Sequence, residues 1–399
     1  MRDPAGRRTA ARVEAMTPPG RDRGVDALRA LAIAGVVLGH WLVTAWVPGP
    51  RGTVAVSSPL AFMPELAPLS WVLQTLAVFF FVGGYAAARS LRTAGDRARA
   101  ETAGPARTAG PVGPVGPAWA VGPAWVRARM GRLLRPVVPL LLVWTGIAAG
   151  LALHGAPYAT VRALALPALG PIWFLAVFAA LTAATPLLLR LRPGVTAVSA
   201  AAVVLVVDAV RFGLGGPAWL GWVNLAAGWL VPYMLGVGWA GGGLASRRTA
   251  VALLTGGAAG AAVLVAGFGY PASMVGVPGA RVSNLSPPTL AAVAFGLAQV
   301  GLALLAHGPL GRLMRRPRLW AAVALLNLSA MTIFLWHLTV AAVTALAALR
   351  FGAVPGLLTP PAHLSWLLER LGWLPVFGGL LALAGAAAKR LNARVSRSA

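Results

Sequence analysis

The residues best suited to chemistry lie on one stretch, residues 24–41. Asp26 and Arg29 open an almost wholly apolar run that carries His40 inside it. If the run is helical, the eleven residues from Arg29 to His40 span about 16 Å at 1.5 Å per residue. With Arg29 at one face of a membrane, His40 lies near the bilayer middle, where an ionisable group is costly and points to function. A neutral imidazole near its ordinary pKa can take a proton from a hydroxyl or carry an acyl group. The alternative is a packed histidine bonded to a neighbouring helix. Asp26 and Arg29 share one helical face. They are either a local ion pair at a helix start or a mouth at which Arg29 binds an anionic group.

Further along, Arg127, Arg129, Arg132 and Arg135 precede an apolar segment. Arg129, Arg132 and Arg135 recur every three residues, so a helix places them along one side. They read either as a basic flank that sets topology or as a phosphate clamp, because the guanidinium fork matches phosphate oxygens. His337 sits deep in another apolar run, as a packed or a functional imidazole. Asp208 and Arg211, one turn apart, read as a structural pair. Gly83 and Gly84 interrupt a bulky aromatic run and allow close helix contact or leave room for a ligand. His154, His307 and His363 fall at helix ends or in loops and read as incidental. No metal-ligand spacing is present, and the absence of cysteine removes thiolate metal sites and a cysteine acyl-enzyme.

The elements that must position these residues are membrane helices. The chain is 58% hydrophobic and 11% charged, against about 25% charged in soluble domains. Hydropathy places ten spans at 27–47, 67–91, 133–153, 169–189, 195–211, 222–244, 250–270, 288–307, 320–349 and 371–388. The expected fold is therefore all-α, a polytopic helical bundle. A net charge of +25 suggests nucleic acid, but its distribution argues against that partner. With the N-terminus inside, 28 of the 34 basic residues fall on one side and six on the other. The positive-inside rule then puts both termini in the cytoplasm, and the surplus can attract anionic lipid or an anionic cytosolic substrate.

Residues 1–25 read as a disordered basic tail, 26–392 as one membrane domain and 393–399 as a short cytoplasmic tail. The Gly/Pro-rich stretch 92–126 reads as a flexible loop, and no soluble domain is expected after the last span. Trp46, Trp71, Trp219, Trp222, Trp366 and Trp373 fall near outer helix ends, as interfacial anchors do. No internal repeat or symmetry between halves is visible.

Taken in order, these pieces resemble the acyltransferase 3 family of integral membrane O-acyltransferases. Its opening Asp-x-x-Arg, followed by a His with ten residues between, matches Asp26, Arg29 and His40. Its second-helix element matches FFVGGY at 80–85, with Gly83 in place of a serine and Tyr85 in place of a phenylalanine, so the serine hydroxyl is missing. Arg132 to Pro136 matches an Arg-x-x-Arg element, Trp173-Phe174-Leu175 a Trp-Phe-Leu element, and FLWH at 334–337 a late aromatic element ending in His. The resemblance covers about 25–390. It implies transfer of an acyl group, acetyl being the expected one, from cytosolic acyl-CoA to a hydroxyl of a sugar, glycan or glycolipid in the cell envelope. It makes Arg29 and His40 the essential pair, with Asp26 and His337 as further catalytic candidates. Arg129, Arg132 and Arg135 become the CoA contacts, and Tyr85 and Trp173 the substrate contacts. No permanently bound cofactor or metal is implied. The partners are the lipid bilayer of the plasma membrane, acyl-CoA and the acceptor. Two readings of other classes stay open, a transporter or flippase for a glycolipid or small molecule, and a non-catalytic envelope scaffold.

Overall fold

A computed structural model describes residues 4–103 and 118–398 and is 78% helical. A short helix α1 (Pro4–Ala15) leads into α2 (Arg23–Val43), the helix of Asp26, Arg29 and His40. An antiparallel hairpin follows, β1 (Ala45–Pro48) on β2 (Val54–Ser57), with Ala45 opposite Ser57. Single turns α3 (Pro59–Phe62) and α4 (Ser70–Leu73) precede α5 (Leu76–Ala103). The remaining helices are α6 (Ala118–Leu134), α7 (Val137–Leu153), α8 (Tyr158–Leu169), α9 (Pro171–Leu188), α10 (Pro193–Asp208), α11 (Gly221–Ala240), α12 (Arg247–Phe268), α13 (Leu290–Leu313), α14 (Pro317–Leu328), α15 (Ala330–Ala348) and α16 (Leu364–Ser398).

Among the described residues, ten helical segments are long and apolar enough to cross a membrane: those of α2, α5, α6–α7, α8–α9, α10, α11, α12, α13, α15 and α16. The protein is thus an all-α, multi-pass membrane protein. α2, α5, α11, α13 and α15 form the inner layer. α7, α12 and α16 turn large apolar side chains outward, among them Leu142, Val263 and Leu383, as helices facing lipid do.

Missing side chains let the inner helices meet. A Cβ on Gly84 would run into the Tyr233 carbonyl, and one on Gly236 into the Phe81 carbonyl, so α5 and α11 touch backbone to backbone. Gly257 and Gly301 do the same between α12 and α13. Such close approach supplies the dispersion contacts that hold helices together where lipid is as apolar as leucine. Gly83 belongs to this packing too, since a Cβ there would strike the Phe178 ring.

The connections sort into two ends. At one, Arg23 donates to the Met314 carbonyl (3.2 Å) and Arg92 to the Ala240 carbonyl (2.8 Å). At the other, Trp46 Nε1 donates to Ala163 O (3.0 Å) and Trp71 Nε1 to Ala272 O (2.7 Å). We call these the amino-terminal end and the far end.

Several expectations need correction. Residues 4–15 are not a disordered tail. Ala10 and Val13 form an apolar stripe that packs α1 on Met314 and Trp320, and Arg23 stacks its guanidinium 4.9 Å above the Trp320 ring. That stripe is hidden in the sequence by the surrounding arginines. Residues 92–103 and 118–126, expected within a flexible loop, are helical, in α5 and α6; residues 104–117 lie outside the described residues. The ninth span breaks at Ser329, whose ψ of 4° ends α14 before α15 begins. α16 continues through the expected tail to Ser398. Asp208 does not pair with Arg211. Its carboxylate accepts from Asn224 Nδ2 (2.9 Å), Tyr270 OH (3.1 Å) and the Leu290 amide (2.8 Å), capping α13. Trp46 and Trp366 are buried and serve packing, whereas Trp219 and Trp222 are exposed, as anchors are.

The glycine contacts make a directional prediction. Gly84→Ala forces α5 off α11 and should destabilise the protein toward the upper end of about 1–3 kcal/mol. Gly146→Ala in α7 meets no atom within 4 Å and should be neutral or stabilising by up to about 1 kcal/mol. Thermal unfolding in detergent compares the two, and equal effects would remove the close-packing argument.

Candidate active site

The amino-terminal end of α2 is a charged knot. Asp22 caps the helix by accepting from the Val25 amide (3.0 Å). The same carboxylate accepts from His307 Nε2 (2.8 Å) and from Tyr85 OH (3.4 Å), and Tyr85 accepts from Arg89 (2.9 Å). Burial alone would raise the Asp22 carboxyl, but the bonds from His307, Val25 and Tyr85 outweigh it and hold the group below the ordinary carboxylate range. Asp26 is buried and bound by Arg21 at 2.6 Å, with Arg29 at 3.8 Å. Arg29 therefore shares its carboxylate with a closer competitor. Arg129, on α6, lies within electrostatic range of Arg29 and of Tyr233 and has no carboxylate partner among the described residues. Two guanidiniums within electrostatic range of one another, one without a carboxylate partner and one holding Asp26 only at 3.8 Å, suit a phosphate or another polyanion.

Three turns along α2, His40 meets His337 of α15. His337 Nδ1 is 2.7 Å from the Phe334 carbonyl oxygen. A carbonyl only accepts, so this nitrogen carries the proton, and in the neutral ring Nε2 is then the acceptor. His337 Nε2 lies 3.0 Å from His40 Nδ1, which donates to it. His40 Nε2 is left with a free lone pair, the form a general base needs. The Val36 carbonyl, one turn back, is another acceptor near this ring. Trp41 Nε1 donates to the His337 carbonyl (2.8 Å), fixing the two helices to each other beside the imidazoles.

His40 lies on the wall of a cavity of about 590 Å³ that occupies the far end. The end of α2, the hairpin, α4, the start of α9, residues 275–286 and α15 enclose it. Trp173, Phe174 and Phe334 complete the wall around His40. Behind them, Phe174 packs on Phe334 (5.0 Å between centroids) and Phe79 (5.1 Å), Phe79 on Phe178 (5.1 Å), and Phe178 on Tyr233 (6.5 Å). This aromatic column runs from the cavity to Tyr233, which lies within electrostatic range of Arg129.

A family model described as an acyltransferase domain matches residues 22–389, nearly the whole chain. The chain belongs to the acyltransferase 3 family. No curated protein and no solved structure matches the chain at a significant level. Membership decides among the three readings left open by the sequence: the protein is a membrane acyltransferase.

Within this acyltransferase 3 protein, the structure brings His40 and Trp173 to one cavity, sets His337 behind His40, and puts Arg29 within electrostatic range of Arg129 at the amino-terminal end. It separates others. Arg132 and Arg135 are exposed, while Arg129 turns inward over Trp125, so the three do not share one environment. Tyr85 is bound to Asp22 and Arg89, away from the cavity. Asp26, fourteen residues before His40 or about 21 Å of helix, stands in the charged knot. Sequence reading missed His307, set aside as incidental, and Arg370, counted as an outer-loop charge.

Arg370 on α16 is fully buried. Its Nε donates to Trp41 O (2.6 Å), Nη2 to Thr44 O (2.7 Å) and Nη1 to Gly356 O (3.1 Å). The first two are carbonyls at the end of α2, where the helix dipole is negative. The guanidinium thus holds the turn that follows His40. Arg370→Gln should lower stability by on the order of 3 kcal/mol, because at least two charge-assisted bonds of about 1.5–3 kcal/mol each are lost. Thermal unfolding checks this, and an unchanged midpoint would remove the brace.

Proposed function

We propose that the protein transfers an acyl group, acetyl being the expected one, from acyl-CoA to a hydroxyl of a sugar-bearing, glycan or glycolipid acceptor at the cell envelope. The observation that carries this reading is the His40–His337 pair, whose bonding leaves His40 Nε2 unprotonated at the cavity wall. The acceptor hydroxyl attacks the thioester carbonyl while His40 Nε2 takes its proton. The tetrahedral intermediate then expels CoA thiolate, which takes the proton back, leaving an ester and free CoA. His337 holds the His40 ring in the tautomer this requires. A covalent acyl-histidine on His40 is the minor variant. The dry aromatic surroundings protect the thioester from hydrolysis.

Arg29 and Arg129 serve as the anchor for the CoA phosphates, with Arg132 and Arg135 adding field from the surface. This places the amino-terminal end in the cytoplasm, where acyl-CoA is made, and the cavity toward the outside of the plasma membrane. The 28-to-6 division of basic residues supports the same orientation.

Purified protein given labelled acetyl-CoA and a panel of hydroxyl acceptors tests the reading. His40→Ala should lower transfer by about 10²–10⁴-fold with the protein still folded and inserted. A folded, active His40→Ala protein would rule out the base. Label retained on wild-type protein without acceptor, and lost in His40→Ala, would select the acyl-histidine route. Arg129→Ala should raise KM for acetyl-CoA by about ten- to a hundredfold and leave the acceptor KM unchanged. Arg132→Ala and Arg135→Ala should have smaller effects, and equal effects from all three would erase the distinction between inward and surface arginines. Reporter fusions at 315 should read cytoplasm and at 280 outside.

A further inference from the structure

The cavity wall at His40 has no Asp, Glu, Lys or Arg among its lining residues. Two of its polar side chains, Ser70 and Ser283, are engaged within the protein. Ser70 Oγ donates to Ala67 O (2.5 Å) and accepts from the Met274 amide (2.9 Å), and Ser283 Oγ accepts from the Leu285 amide (3.1 Å). Gln74 is different. Its backbone carbonyl accepts from Gln299, but its side-chain Oε1 is buried with no hydrogen-bond partner. A Cβ on Gly39 would meet Leu73 Cβ at 3.3 Å, so the absent side chain of Gly39 sets α4 against α2 and brings Gln74 and His40 to the same wall. Leu69 and Val72 also line the cavity and are largely exposed at its rim.

We propose that the acceptor is an amphipathic alcohol, one reacting hydroxyl on a bulky apolar body, which reaches the cavity from the lipid phase past Leu69 and Val72. This rests on the acyl-transfer reading and narrows its acceptor. The cavity volume is in the range of small-molecule sites, and its apolar wall rewards burial of hydrocarbon. A free sugar would leave several hydroxyls buried without partners, which is costly. The hydroxyl donates its one proton to Gln74 Oε1 as the alcohol docks, supplying the donor that Gln74 lacks, and turns that proton to His40 Nε2 as it attacks, so Gln74 positions the alcohol in the ground state. A long acyl tail of the donor would fill the same volume but has no N–H or O–H to offer Gln74.

The test is a series of n-alkanols from butanol to decanol, with glucose and glycerol for comparison, on the full-length protein in nanodiscs. Binding is read as thermal stabilisation without CoA, and acetyl transfer is read separately with labelled acetyl-CoA. Affinity should rise about fourfold per methylene until the cavity fills, and glucose and glycerol should neither bind nor react. The rise should flatten in Gly276→Trp, where the new Cβ meets nothing nearer than 3.8 Å, and in the rim variant Val72→Trp. Gln74→Leu should raise KM for the alcohols about tenfold and leave KM for acetyl-CoA alone. A flat series, a rise that persists in both filled variants, or faster acetylation of free sugars would overturn the proposal. So would displacement of bound alcohol by a long-chain acyl-CoA and not by acetyl-CoA, which would assign the cavity to the acyl tail. The binding series needs no transfer, so failure of the acyl-transfer reading shows independently, as absence of labelled product with any acceptor.

Discussion

The hydrogen bond from His40 to His337 ties together the first and ninth crossings, and much of the interior is arranged to keep it satisfied. Two imidazoles inside an apolar bundle cannot draw on water, so each nitrogen needs a partner within the protein or an empty face with a purpose. The Phe334 carbonyl fixes one ring, that ring fixes the second, and only the nitrogen facing the cavity is left open. Trp41 sets the register of α2 against α15, and Arg370 holds the end of α2 in place. Shifting any of these by one residue would turn His40 away from α15, because the side chains on a helix face repeat only every three or four positions.

The same helix carries the other half of the chemistry at its opposite end. Asp22, Asp26 and Arg29 start α2, and the knot around them draws in Arg21, Tyr85, Arg89, Arg129 and His307 from four different elements. The charged knot at one end of α2 and the imidazole pair near the other are thus joined by a rigid rod of fixed length. The aromatic column of Phe334, Phe174, Phe79 and Phe178 lies between the two regions.

Much of this was legible in the sequence, and the parts that were not share a cause. Spans are set by hydropathy, so ten of them were readable. His40, His337 and Arg29 stood out because ionisable groups are rare in apolar runs. The break at Ser329 left no Pro or Gly to mark it, so one long run concealed two helices. α1 was hidden because its apolar stripe holds only two small side chains among arginines. Arg370 and His307 were misjudged because sequence position gives the distance from a helix end, whereas their roles depend on carbonyls and carboxylates supplied by residues hundreds of positions away. The environment of Arg129 was partly readable: three arginines at i, i+3, i+6 suggested a common face, but which of them turned inward depended on where α2 and α11 lay.

Arg370 also bears on how the chain is assembled. α16 is the last crossing, and along most of its length it offers lipid-like side chains to its surroundings. Among the described residues its guanidinium has no carboxylate partner; Trp366 and Phe377 of its own helix lie against it, but its hydrogen-bond acceptors are at the end of the first crossing and in the loop before α16. Until those carbonyls are in place, the final helix carries a cation without hydrogen-bond acceptors, which is costly inside a membrane span. The first crossing therefore supplies the socket that the last one needs. α16 plugs into it, closing the bundle like a keystone set after the arch is standing.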